Sequence, residues 1–188
     1  MERHTIKSFS AWAGAAACLI LSTVLLATEE FQARLLTASG PNAGRATSIR
    51  ILVESYTSTE EVMQLAEIHN RCGYEPFMSA LRGTSKGFVR PIGGRGVKIT
   101  IHAAQNIQAD KGRKILLVTE RKSWDVEVRQ SMDTRYPFMV IELNIDNKGK
   151  GEGKIYEQAN ILLTAQGTIV MESSNSPPKQ LFGVRALK

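Results

Sequence analysis

Met139-Val140-Ile141-Glu142-Leu143-Asn144-Ile145-Asp146-Asn147-Lys148-Gly149 is the stretch that decides the fold class. Met139, Ile141, Leu143 and Ile145 recur at the two-residue period of a strand that buries one face. Asp146-Asn147-Lys148-Gly149 then reads as a type I turn with glycine at the left-handed bulge position. A return strand follows over Lys154–Thr164. Strands joined by so tight a turn pair antiparallel.

The same pattern extends on both sides of this hairpin. Ala165-Gln166-Gly167 turns the chain into a strand over Thr168–Glu172, and Gln180–Val184 offers a last one. Upstream, Ile49, Ile51 and Val53 alternate within Ser48–Tyr56, and strands are expected over Lys86–Ile92, Val97–Ala103 and Lys114–Thr119. The unbroken run Ile115-Leu116-Leu117-Val118 predicts burial on both faces.

Helices interrupt this series. Ser58 and Glu61 form a capping box, with Val62, Leu65, Ala66, His69 and Cys72 along one face and Gly73 as terminator. A second short helix runs from Glu75-Pro76 to Gly83. Ser123 caps a later helical stretch carrying Trp124, Val128 and Met132, which Tyr136-Pro137 stops. The expected fold is therefore α+β. It has an antiparallel sheet of about seven strands, open to strong curling, a two-helix insertion after the first strand, and one short helix later. The expected core includes Ile51, Val53, Val62, Leu65, Phe77, Leu81, Ile99, Ile101, Leu117, Ile141, Leu143, Ile161 and Val170.

The N-terminus speaks about location. Arg3, His4 and Lys7 precede a charge-free stretch from Ser8 to Thr28, and Glu29 and Glu30 follow. This order is that of a secretory signal segment over residues 1–27, so the domain is expected outside the cytoplasm, periplasmic or extracellular. Leu25 stands where cleavage after Ala27 wants a small residue, and a stretch of ~20 apolar residues can also remain as a membrane anchor. Lipidation at Cys18 fails on geometry, because the apolar block Leu19–Ala27 lies after that cysteine. Residues 28–47, rich in small and turn residues, read as a flexible tether, and 48–188 as a single domain.

Composition narrows the function classes. The net charge is +6 over 188 residues, and the cations scatter among turns and strand ends, without the concentration a nucleic-acid binder needs. Beyond the signal segment Cys72 is the lone cysteine, so no internal disulfide forms. His69 and His102 with Cys72 fall short of the roughly four ligands of a structural zinc site. No metal or cofactor is expected. Gly93-Gly94-Arg95-Gly96 reads as a tight turn, since no helix follows to add its dipole to an anion site.

Two function classes compete. No nucleophile elbow, zincin motif or dinucleotide fingerprint is present, which favours a non-enzymatic binding or interaction module. Its partner would be another envelope protein or a small apolar ligand, not nucleic acid, with the membrane touched only by the N-terminal segment. The binding surface is expected around Trp124, Arg135 and Tyr136, beside the row Gly149, Gly151 and Gly153, whose missing side chains leave a shallow groove. The rival is a hydrolase using Cys72 with His69 as a thiolate pair, or the carboxylates Asp125 and Glu127 near Trp124. His69 and Cys72 also continue an apolar helical stripe, and core packing is the simpler account of them.

Tyr136-Pro137-Phe138-x-Val140-Ile141-Glu142-Leu143, followed by Asp146 and Gly149-x-Gly151-Glu152-Gly153, resembles an uncharacterised group of exported bacterial proteins of unknown function. The likeness runs loosely from about Ile49 to Val184. It implies a single exported domain and no particular chemistry.

Overall fold

The computed structural model describes residues 28–36, 44, 46–93, 97–121 and 135–187. The elements run β1 (Glu29–Leu36), β2 (Ala46–Val53), α1 (Thr59–Cys72), α2 (Tyr74–Arg82), β3 (Gly87–Pro91), β4 (Ile99–Ala109), β5 (Gly112–Glu120), β6 (Phe138–Asp146), β7 (Lys150–Leu163), β8 (Ile169–Ser174) and β9 (Lys179–Leu187). Among these residues no helix is long and apolar enough to cross a membrane.

The sheet closes. Its order is β6-β5-β4-β3-β2-β1-β9-β7, and β7 pairs back onto β6, so eight antiparallel strands form a barrel with β8 attached to the far half of β7. The expected α+β domain with an open, curled sheet of about seven strands is thereby corrected to a mostly-β barrel. The strand that makes the difference is β1. Phe31, Ala33 and Leu35 alternate with Gln32 and Arg34, so residues 29–36 are a barrel strand rather than part of a tether. β1 pairs with β2 on one side and β9 on the other, which removes both free edges of the sheet. The two-helix insertion consequently follows the second strand. The helix expected from Ser123 falls outside the described residues.

Inward-facing side chains fill the barrel. Phe31, Ile49, Ile51, Ile101, Ile115, Leu117, Ile141, Leu143, Ile155 and Leu181 form one buried cluster, as eight strands leave an interior about wide enough for side chains alone. A second cluster lies outside the wall, where Val62 and Leu65 of α1 and Phe77, Met78 and Leu81 of α2 cover Leu116, Val118, Phe138 and Val140. Ile115–Val118 is thus buried on both faces as its composition predicts. Of the expected core, Ile161 is half-buried and Val170 is 43% exposed, because Ile169 is the β8 residue that points inward.

Local chemistry agrees with this placement. The Ser58 hydroxyl accepts from the Glu61 backbone at 3.2 Å, and the Glu61 carboxylate accepts from the Ser58 backbone at 2.8 Å, completing the capping box of α1. At the mouth of the barrel Tyr56 packs against the core. Burial first, and the nearby Glu29 charge second, hold its hydroxyl protonated well above the ordinary phenol range.

Candidate functional site

The residues expected to share a binding surface are separated. Arg135 and Tyr136 lie just before β6, whereas Gly149 sits in the turn after it. The nine residues of β6 between them span about 30 Å at roughly 3.3 Å per residue. Trp124, Asp125 and Glu127 fall outside the described residues.

The glycine row is also no groove. Gly151 and Gly153 share the inward parity of Ile155. A Cβ on Gly151 would lie 1.8 Å from the Asn144 carbonyl oxygen. One on Gly153 would lie 2.6 Å from the Glu142 carbonyl and 2.8 Å from the Leu143 side chain. The neighbouring strand already occupies the space that the missing side chains leave, which is why glycine is required there. Gly149, at φ +74°, supplies the left-handed turn position instead.

Arg135 does border a cavity. A groove of about 440 Å³ lies between the helices and the end of β7. Its floor is aromatic: Phe77 meets Phe138 edge-on at 6.4 Å, and His69 meets Phe77 edge-on at 5.2 Å. Arg135 and Glu172 stand at its border, and Ile161, Leu162 and Leu163 form its β wall.

That wall has unusual backbone. The last β6–β7 pair is Phe138↔Ala159, so β7 outruns β6 by the four residues Asn160–Leu163. Among the described residues, these four pair with β8 alone. The hairpin bond from Thr164 N–H to the Thr168 carbonyl turns even-numbered positions toward β8, and alternation turns Ile161 and Leu163 toward the groove. The Ile161 N–H is met there by the Asn160 side-chain oxygen at 3.0 Å, a substitute for a strand neighbour. Periodicity could not point to this site, although the apolar triplet Ile161-Leu162-Leu163 was a signal that both strand faces meet something.

The proposed thiolate pair lies at the exposed C-terminal end of α1. Cys72 is exposed, and so is His69, whose ring rests on Phe77. Core packing is equally wrong for both, since the stripe of α1 that is buried consists of Val62 and Leu65. Among the described residues no group of three or more His, Cys, Asp or Glu side chains gathers as a metal cluster would.

A smaller pocket of about 200 Å³ between α1, α2 and β4 collects Lys86, Glu61 and His102. Lys86 Nζ donates to both Glu61 oxygens at 2.7 and 2.9 Å. Burial raises the Glu61 carboxyl, but hydrogen bonds from Lys86 and the Ser58 backbone outweigh it and hold the group below its ordinary value. His102 Nδ1 lies 2.9 Å from the Thr84 carbonyl oxygen, the partner that fixes it as the protonated nitrogen. The ion pair neutralises itself, so this pocket offers a ligand little net charge.

No protein-family model, no curated protein and no solved structure matches this chain.

Proposed function

We propose that this chain is an exported, non-enzymatic interaction domain of the cell envelope that binds an extended segment of another envelope protein along the end of β7. The basic head and the charge-free stretch Ser8–Thr28 support export. The filled barrel interior leaves a small apolar ligand without a central cavity. The observation that carries the reading is the β7 overhang, Asn160–Leu163, whose backbone borders a groove floored by Phe77 and Phe138. An added strand gains main-chain hydrogen bonds from Ile161 and Leu163, while its side chains enter the aromatic groove.

The test places a photoreactive amino acid at Leu162, and at Met63 on the outer face of α1 as control. Irradiation in intact cells should yield one discrete adduct with an envelope protein from position 162 and none from 63. Leu163→Pro removes a groove-side N–H without touching the β8 ladder, and should abolish the adduct while leaving the circular dichroism spectrum unchanged. An adduct that survives Leu163→Pro defeats strand addition. A reporter active only in an oxidising compartment, fused after residue 40, tests export separately, and a silent reporter defeats it.

A further inference from the structure

Away from the helices, the outer face of the barrel carries an arrangement that no local stretch of sequence displays. Strand register sets Arg90 opposite Arg50, Arg50 opposite Gln32, Gln32 opposite Arg185, and Arg185 opposite Lys150. All five point outward, since their chain neighbours Val89, Ile49, Ile51, Phe31, Ala33 and Val184 are core residues and Gly151 shares the inward parity of Ile155. Four cations therefore stand in one row across β3, β2, β9 and β7. Like charges directly opposed on a sheet repel, and among the described residues the carboxylate paired with this row is Glu30, on Arg50.

The Arg90–Gln32 end of the row is also concave. Arg50, Arg90, Gln32, Glu30, Ile92 and Leu187 line a basin of about 670 Å³. Arg50 Nε is buried beside it with no hydrogen-bond partner. A guanidinium meets an oxyanion through its planar fork, and this donor is not committed to a protein acceptor.

The position of the basin narrows the choice of anion. Glu30 and Gln32 belong to the first residues of β1, and the charge-free stretch of the sequence ends at Thr28. The basin thus lies within about 13 Å of chain from an apolar segment, at roughly 3.3 Å per residue. Ile92 and Leu187, both exposed, give it an apolar border. Phe88 on this face carries Lys98 at 4.2 Å and Arg90 at 5.7 Å from its ring centroid, and Phe182, opposite Arg34, adds an exposed apolar side chain to its β1-β9 part.

We propose that this basin seats the phosphate of an anionic phospholipid headgroup and docks the β3-β2-β1-β9 face on the membrane that takes up the apolar segment. The proposal uses the apolar segment of the export reading and is independent of the β7 groove.

The full chain, reconstituted in vesicles of phosphatidylcholine alone or with phosphatidylglycerol added, is treated with phenylglyoxal, and arginine modification is read by mass spectrometry. Arg50 and Arg90 should react several-fold more slowly in the phosphatidylglycerol vesicles, while Arg71 on α1 reacts equally in both. The double variant Arg90→Glu/Arg185→Glu, checked for an unchanged circular dichroism spectrum, should lose the protection of Arg50. Equal reactivity in the two vesicle types overturns the proposal. So does equal protection of detergent-solubilised chain by glycerol phosphate, which would make the source a soluble anion, or stronger protection by a single-stranded oligonucleotide. A silent export reporter with intact lipid protection would overturn export and leave this site standing.

Discussion

Arg113 on β5 and Glu29 on β1 join across the mouth of the barrel, from strands four places apart in a closed ring of eight. Arg113 Nη1 donates to Glu29 Oε1 at 2.8 Å, the second guanidinium nitrogen meets Oε2, and the guanidinium lies 5.9 Å from the Phe31 ring centroid. The fork-on-carboxylate bridge caps the apolar interior and ties opposite walls together. The hydrogen bond that Arg113 donates to Glu29 chiefly raises the Arg113 guanidinium further above its ordinary value.

Breaking that bridge from one side leaves a largely buried charge unpaired. Glu29→Gln should lower stability by about 3 kcal/mol, read as a shift in the urea midpoint at unchanged slope. The double variant Glu29→Gln/Arg113→Met should recover most of that loss. A double variant as unstable as the single one would show that the bridge stabilises beyond its own desolvation cost.

A glycine of β7 and one of β9 give a second expectation. Gly151→Ala drives a Cβ to 1.8 Å from the Asn144 oxygen and should cost more than about 4 kcal/mol or prevent folding. Gly183→Ala, at φ +58° with nothing within 4 Å, should cost only about 1–2 kcal/mol of backbone strain. Thermal melts of the two variants compare them directly.

Acid should weaken the Glu61–Lys86 link. Because the folded-state Glu61 carboxyl is depressed, its stabilisation is complete above the ordinary glutamate value of about 4.3 and is lost as pH falls through the lower folded value. Glu61→Gln should therefore be less stable than the parent at pH 7, and the difference should shrink as the pH drops below that ordinary value. A difference that is constant with pH would sever the effect from ionisation.

Cys72, exposed at the end of α1, should be labelled by a maleimide in the native protein within a few-fold of its rate in urea. Slow native labelling would place the thiol in the core after all.

What was legible in the chain is what short-range chemistry dictates. The 139–149 hairpin, the Ser58–Glu61 box and the two-faced burial of Ile115–Val118 each follow from neighbours a few residues apart. Phe31-x-Ala33-x-Leu35 carried a strand signal too, but the small residues Ala38–Gly44 beside it suggested a tether. Closure was hidden because it depends on β1 meeting β9, and alternation says nothing about distant partners. The candidate sites were hidden for the same reason. The overhang of β7 exists only relative to where β6 begins, and the cationic row only in the register of five strands.

The pairing of Glu30 with Leu187 also sets the order of events during synthesis. The first described strand needs the last one as its neighbour, so the ring stays unfinished until nearly the whole domain has emerged. Such a closure, made between segments at opposite ends of a long loop, is slow because its entropy is lost before its contacts form. A product truncated before β9 would never close, and quality-control proteases would find it with both edges bare.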